Sequence, residues 1–186
     1  LGDLYADFKT GFTTSLSYQG FNLNVLVDWK KGGTVFSSTV QDLRASGLAA
    51  ETAQNREGTF VDDGVIVTER NAAGEIVETR PNDVPVPSAQ QFWGQFAEDG
   101  IIENSVFDAS YVKLREVALS YNLPQSWLAR IPVENASVTV QGRNLLLLYS
   151  NVPHIDPETN LFGAGANIGQ GVEFNNLPNT TTYGAT

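Results

Sequence analysis

Phe8-Lys9-Thr10-Gly11-Phe12-Thr13-Thr14-Ser15-Leu16-Ser17-Tyr18, then Gln19-Gly20, then Phe21-Asn22-Leu23-Asn24-Val25-Leu26-Val27-Asp28-Trp29-Lys30, is the stretch that decides the fold. Side chains alternate between the two faces of a strand. Phe8, Thr10, Phe12, Thr14, Leu16 and Tyr18 therefore fall on one side, and Lys9, Gly11, Thr13, Ser15 and Ser17 on the other. After the Gln19-Gly20 turn the division returns, with Phe21, Leu23, Val25, Val27 and Trp29 against Asn22, Asn24, Leu26, Asp28 and Lys30. The pattern predicts a hairpin of two strands of about ten residues each. Strands of soluble domains run nearer about 5–6 residues, whereas a tilted strand that crosses a bilayer takes about 9–11. Length and face chemistry together predict a membrane barrel, with the apolar side toward lipid and the polar side toward a wet lumen. Tyr18 and Phe21 at the turn, and Phe8 and Trp29 at the far ends, then form two aromatic girdles. Alternation alone also fits a soluble sandwich whose apolar face packs a core, and that alternative stays open at this point.

Composition narrows the classes. The chain has 186 residues, of which 41% are apolar and 17% charged, where soluble domains hold about 25% charged residues. Lys+Arg 11 against Asp+Glu 21 gives a net charge of −10, which repels phosphate backbones and predicts no nucleic-acid partner. Without Cys there is no disulfide framework, thiol catalysis or Cys-ligated zinc, and the single His154 excludes a multi-histidine metal cluster. A membrane-crossing helix needs about 20 apolar residues, and the longest strongly apolar run is Leu145 to Tyr149. Neither an initiator Met nor a signal peptide is visible at Leu1, which predicts part of a longer chain.

Beyond the hairpin, long and short connections alternate. Residues 31–107 carry 12 acidic and 5 basic side chains, a net of −7, so most of the charge sits outside the strands. In this excursion Thr34 to Arg44 predicts a short helix, and Val65–Glu69 and Glu75–Thr79 flank Asn71-Ala72-Ala73-Gly74 as a small hairpin. Ser88 predicts an N-cap for a helix over Ala89–Ala97, with Gln91 placed for a capping box. A third strand is expected over 107–123. Val112 and Leu114 are out of phase with Val117, Leu119 and Tyr121, which predicts a bulge near Arg115-Glu116. A turn of helix over Gln125–Ile131 leads to a fourth strand over 134–150, whose Leu145 to Leu148 are apolar on both faces and predict protein cover on one side. A fifth strand begins at 179–186. Strands at about 8–19, 21–30, 107–123, 134–150 and 179–186, with external loops 32–106 and 151–178, reproduce the barrel habit of short turns on one side and long loops on the other.

Several stretches carry a family resemblance. Asp108-Ala109-Ser110-Tyr111-Val112-Lys113-Leu114-Arg115-Glu116-Val117-Ala118-Leu119-Ser120-Tyr121-Asn122-Leu123-Pro124 resembles a late barrel strand of the SusC/RagA-like TonB-dependent outer-membrane receptors. Gly142-Arg143-Asn144-Leu145, Asp156-Pro157-Glu158 and the Leu177-Pro178 approach to Thr180-Thr181-Thr182-Tyr183 follow in the family's order. Gly2-Asp3, Tyr18 to Leu23 and Asp28-Trp29-Lys30-Lys31-Gly32-Gly33 also fit. The resemblance implies an all-β chain, the last strands of a transmembrane antiparallel barrel of about 22 strands, its long external loops carrying short helices. It also implies a plug and a TonB-contacting segment elsewhere, which depart from what this sequence contains. The final strand lacks the terminal aromatic residue of the insertion signal, which predicts a few further C-terminal residues.

On that reading the protein is a multi-pass component of a Gram-negative, Bacteroidota outer membrane, in contact with its lipid, and not an enzyme. It would import oligosaccharides or peptides with a SusD-like surface lipoprotein and energy relayed by TonB. A siderophore-type receptor or passive porin without a lid, and a soluble carbohydrate-binding sandwich, are the alternatives. Ser15, Ser17, Asn22, Asn24, Thr139, Gln141 and Arg143 are the expected lumen-facing residues. Phe92, Trp93 and Phe96, at i, i+3 and i+4 spacing, are candidates for ligand or lid contact, set against simple packing of the loop. Neither a cofactor nor a metal site is expected. Gly163 to Gly169 fits no nucleotide loop, and Asp156 to Asn160 near His154 misses the calcium-loop spacing and reads as a Pro-rigidified turn. Asp62-Asp63 and Glu98-Asp99 read as solvated charge.

Overall fold

The computed structural model describes residues 2–98, 101–129, 132–161 and 169–186. In chain order its strands are β1 (Phe8–Tyr18), β2 (Phe21–Lys31), β3 (Thr34–Ser37), β4 (Phe60–Val61), β5 (Val65–Arg70), β6 (Ile76–Pro81), β7 (Pro85–Val86), β8 (Val106–Asp108), β9 (Tyr111–Asn122), β10 (Ser137–Ser150), β11 (Val172–Glu173) and β12 (Thr182–Ala185). The α-helices are α1 (Ser38–Ala45), α2 (Ala89–Glu98) and α3 (Gln125–Leu128). No helix among the described residues is long and apolar enough to cross a membrane. The chain divides into two compact units, Leu1–Thr39 with Val106–Thr186, and Val40–Ser105.

The first unit is built on a five-stranded sheet of order β1-β2-β9-β10-β12, antiparallel at every pairing. β1 and β2 pair without a slip from Phe8↔Lys31 to Tyr18↔Phe21. Gln19 at φ 46 and Gly20 at φ 86 make the turn, a left-handed backbone that Gly adopts freely. The register of β9 skips Arg115, pairing Leu26 with Glu116 and Val27 with Leu114. This is the bulge that the phase clash predicts.

Three expectations need correction. The stretch from Thr34 opens as a strand and becomes helix only at Ser38, because Val35 and Phe36 pair with β8 and Phe36 and Ser37 with β11. The third strand is broken at Ala109-Ser110: β8 joins the three-stranded sheet β11-β3-β8, and β9 the main one. The break is held locally, since Asp108 Oδ1 accepts the Ser110 N–H at 2.8 Å and the Ala109 N–H donates to Gly33 O at 2.8 Å. Finally, the apolar run at Leu145 to Leu148 is split by irregular register. Leu146 opposes Leu114 and Tyr149 opposes Val112, with Leu148 left out of the pairing. Two extra residues reset the alternation, so Leu146 and Tyr149 return to the apolar face without a protein cover, and both are exposed.

The small apolar core cluster of this unit lies at the end of the sheet where β2 leaves and β9 enters. Val35, Ala109 and Val152 form a small core with Phe107 and Ile155 against it. Glu173 on β11, fully buried, is held by Ser37 Oγ and Thr39 Oγ1, each donating at 2.6 Å, and by the Asn176 N–H at 3.1 Å.

The second unit has two two-stranded sheets, β4-β7 and β5-β6. Ser88 caps α2 as its sequence predicts, its Oγ accepting the Gln91 N–H at 3.2 Å. The helix presents Phe92, Trp93 and Phe96 to one another, and Phe92 stacks on Phe60 of β4 at 4.7 Å and 14°. Phe96, Val40, Ala49 and Ala89 are buried, which gives the excursion an apolar core of its own.

Candidate functional site

Strand pairing turns single residues into rows. Ser17, Asn22, Ser120 and Thr139 lie opposite one another across four strands; Ser15, Asn24, Ala118 and Gln141 form the next row, and Leu26, Glu116 and Arg143 the one after. The rows are joined by side-chain bonds: Ser15 Oγ donates to Asn24 Oδ1 at 2.6 Å, Ser17 Oγ to Asn22 Oδ1 at 2.8 Å, and Thr139 Oγ1 to Ser120 Oγ at 3.0 Å. Arg143 Nε reaches Glu116 Oε2 at 2.9 Å. All seven polar residues singled out from the sequence thus share one face.

The intervening rows are apolar: Tyr18, Phe21, Tyr121 and Val138; Leu16, Leu23, Leu119 and Val140; Phe12, Val27, Leu114 and Leu146. Aromatic pairs mark both ends of this face, Phe21 with Tyr121 at 4.5 Å and Phe8 with Trp29 at 4.8 Å. Phe12 is 56% exposed, Leu16 60% and Val138 52%, so no second layer covers this face among the described residues.

At the end of the polar face away from the Gln19-Gly20 turn, the segment after β10 folds back and docks through charge. Lys113 Nζ lies 2.6 Å from Asp156 Oδ1 and 2.8 Å from Glu158 Oε2. Arg115 embraces Glu158 with Nη1 at 2.9 Å and Nη2 at 2.7 Å, and turns its Nε to Asp28 Oδ2 at 2.6 Å. Tyr111 OH and Asn179 Nδ2 also donate to Glu158, at 2.8 and 3.0 Å. The Lys113 side chain is only 4% exposed, and burying a charge is tolerable only when it is paired and hydrogen-bonded. Burial alone would push the Glu158 carboxyl up; the donors Arg115 and Lys113 outweigh it and bring it down to about 2.

Sequence reasoning missed this cluster, although a signal was present. Asp28, Lys113 and Arg115 are charges inside strands, and such charges need partners. The Asp156 to Asn160 turn is a turn as read, with Thr159 N–H bonding Asp156 O, but its carboxylates serve as anchors to β9. Among the described residues no group of His, Asp or Glu is arranged to hold a metal ion. Most of the Gly163 to Gly169 run, and Asp99, lie outside the described residues.

Phe92, Trp93 and Phe96 come together in the second unit as expected from their spacing, with Phe96 buried against its neighbours. Trp93 alone of the three lines an open groove, beside Arg44 and Arg56, and Arg44 stacks over its ring at 5.8 Å.

The comparisons fit this geometry. No protein-family model matches the chain. It is 29% identical over 186 residues to TonB-dependent receptor P3 of Formosa agariphila and 27% identical over 184 residues to TonB-dependent receptor P26 of the same organism. Each match takes in 98% of this chain. The fold is similar to a chain in the structure of the RagAB peptide importer in its closed-closed state, with a TM-score of 0.58 at 19% identity over 99% of this chain, and in its open-open state, with a TM-score of 0.56. These likenesses support the resemblance to the SusC/RagA-like family of TonB-dependent receptors. It spans 16% and 17% of the length of the two curated receptors it matches, and 17% of each importer chain.

In this chain the family-like motifs have physical tasks. Asp108-Ala109-Ser110 carries the chain from one sheet to the next. Lys113 and Arg115 receive Asp156-Pro157-Glu158. In Gly142-Arg143-Asn144-Leu145, Asn144 adopts φ 52 and a Cβ on Gly142 would come within 2.6 Å of Leu145 Cδ2. The resulting irregularity frees Asn144 O to accept Thr181 Oγ1 at 2.9 Å, which steers the chain into β12.

Proposed function

We propose that these strands are part of the wall of an outer-membrane transport barrel, near its C-terminal end, and that the whole receptor imports oligosaccharides or peptides with energy relayed by TonB and with a SusD-like lipoprotein as lid. The single observation that carries this is the sheet itself: five strands keep polar and apolar rows in register, and the apolar rows are left uncovered. From Phe8 to Tyr18 is ten residue steps; at about 3.4 Å each and a tilt of about 40° they rise about 26 Å, matching the apolar band of about 25 Å in outer-membrane barrels. A soluble sandwich would need that face covered.

In this reading Ser15, Ser17, Asn22, Asn24, Thr139, Gln141 and Arg143 face the lumen. The barrel is the 22-stranded kind that the resemblance implies, about the size that holds a plug. The 32–106 and 151–178 connections lie outside the cell, and Trp93 is the member of the aromatic trio placed to touch cargo or lid. The wall does no chemistry; binding and gating are shared with the plug and the loops.

The test is uptake of labelled oligosaccharides and oligopeptides by cells that carry or lack the full-length receptor, with a protonmotive uncoupler, and affinity purification of the receptor from the membrane. Uptake that requires the receptor and stops with the uncoupler, together with recovery of a surface lipoprotein, supports the proposal. Uptake indifferent to the uncoupler by a receptor that purifies alone fits a passive porin and contradicts it.

A further inference from the structure

Lys9 and Lys30 lie directly opposite each other on β1 and β2, on the polar face. Like charges directly opposite in an antiparallel pair destabilise it, and a chain with 21 acidic residues has ample means to avoid the conflict. Yet neither lysine forms an ion pair among the described residues, while the nearby carboxylates are committed elsewhere. Asp28 is held by Arg115, Asp156 by Lys113, and Glu158 by both. Asp108 Oδ1 accepts the Ser110 N–H, and its Oδ2 faces Lys31 at 4.0 Å. Lys30 is half-buried.

Both lysines line one half-open cavity of ≈ 100 Å³, together with Glu158, Thr159 and Asn160. One water needs about 10–15 Å³ measured in this way, so the cavity takes a carboxylate group together with a few waters. A local conflict of this kind is expected at functional or strained positions. The anchored turn Asp156 to Asn160 gives the cavity a fixed wall, and the two ammonium groups supply charge-assisted donors on the other.

We infer that Lys9, Lys30 and this cavity form a carboxylate-binding site on the inner face of the barrel wall. The inference rests on reading that face as the wet interior. The carboxylate comes from an acidic molecule passing through or from another part of the receptor's own chain, and the chemistry of capture is the same.

The experiment uses the full-length receptor in outer-membrane vesicles, with a triglutamate peptide as the probe and a water-soluble carbodiimide. The reagent joins a lysine amine to a carboxylate in contact with it, releasing the activated oxygen as urea. Peptide mapping should find Lys9 or Lys30 in an amide with the triglutamate, which assigns the source to cargo, or with an acidic residue elsewhere in the receptor, which assigns it to the chain itself. Where triglutamate is the partner, its affinity should fall about tenfold on Lys9→Gln or Lys30→Gln and be retained by Lys9→Arg. A water-soluble acetylating reagent is applied in parallel. Lys9 acetylated while neither lysine is ever coupled overturns the site and leaves the wet face standing. Neither lysine coupled and Lys9 not acetylated overturns both. Coupling confined to Asp28, Asp108 or Glu158 overturns the site as well, because those neighbours are already visible.

Discussion

The five-stranded sheet and the excursion over 40–105 treat apolar surface in opposite ways. The excursion gathers Phe60, Phe92, Trp93 and Phe96 into a cluster and buries Val40 and Phe96 almost completely, at 0% and 3% exposure. The sheet leaves a whole face of large apolar side chains open and gathers the charge cluster around Glu158 at one end. A water-built unit stabilises itself by removing apolar area from solvent. The sheet's face finds that gain only if something else, hydrocarbon in this account, covers it. The difference teaches that the two regions answer to different solvents, and substitutions can be chosen that one region tolerates and the other does not.

The largest effect is expected at the ion cluster. Lys113→Met in the full-length receptor leaves Asp156 without its cation and Glu158 with Arg115 alone, and losing one partner of a buried pair costs about 3–5 kcal/mol. Urea unfolding in lipid vesicles should show it, and Glu158→Gln in the same background should recover part. An undiminished midpoint would mean the anchored turn does not stabilise the sheet.

Next comes Val25→Arg, near the middle of the apolar face. In a bilayer it should cost about 2–4 kcal/mol, whereas Asn24→Arg on the opposite face should cost less than about 1 kcal/mol. The same change at exposed Val65 in the excursion should stay within about 0.5 kcal/mol. Equal costs at the first two positions would dissolve the contrast between faces.

Acid should weaken the cluster in a predictable window. Arg115 and Lys113 bring the Glu158 carboxyl down from its ordinary 4.5 to about 2 in the folded protein, so its contribution is complete above about 4.5 and is lost as pH falls toward 2. Unfolding midpoints compared at pH 6 and pH 3 should drop in the native receptor and drop less in Glu158→Gln.

The smallest effect belongs to the excursion. Ser88→Ala removes the cap of α2 and should cost about 0.5–2 kcal/mol, seen as faster amide exchange at Gln91 with the sheet unaffected. Faster exchange throughout the sheet would show that the two regions do not answer separately.

The hairpin was legible because its information is local: strict alternation over 8–30 with one turn between. The bulge at Arg115 could be read because it leaves a phase error within a single strand. The strand at Thr34 was mistaken for helix because its partners, Val106 to Asp108 and Val172-Glu173, lie far along the chain, and pairing overrides weak local propensity. The break at Ala109-Ser110 depends on a carboxylate bonding two residues ahead, and the irregularity at Leu148 leaves no mark in composition. In the candidate site the polar rows followed from alternation. The cluster joining Lys113 and Arg115 to Asp156 and Glu158 bridges more than forty residues, with 43 separating Lys113 from Asp156. Nothing in the spacing of these charges names their partners.

The central claim is most directly tested by spin labels placed singly at positions 12 to 17 of the full-length receptor, other cysteines removed, in lipid vesicles. Collision with oxygen, which concentrates in hydrocarbon, should be high at 12, 14 and 16, and collision with a water-soluble nickel chelate high at 13, 15 and 17. Loss of the alternation, or its reversal, would contradict the account.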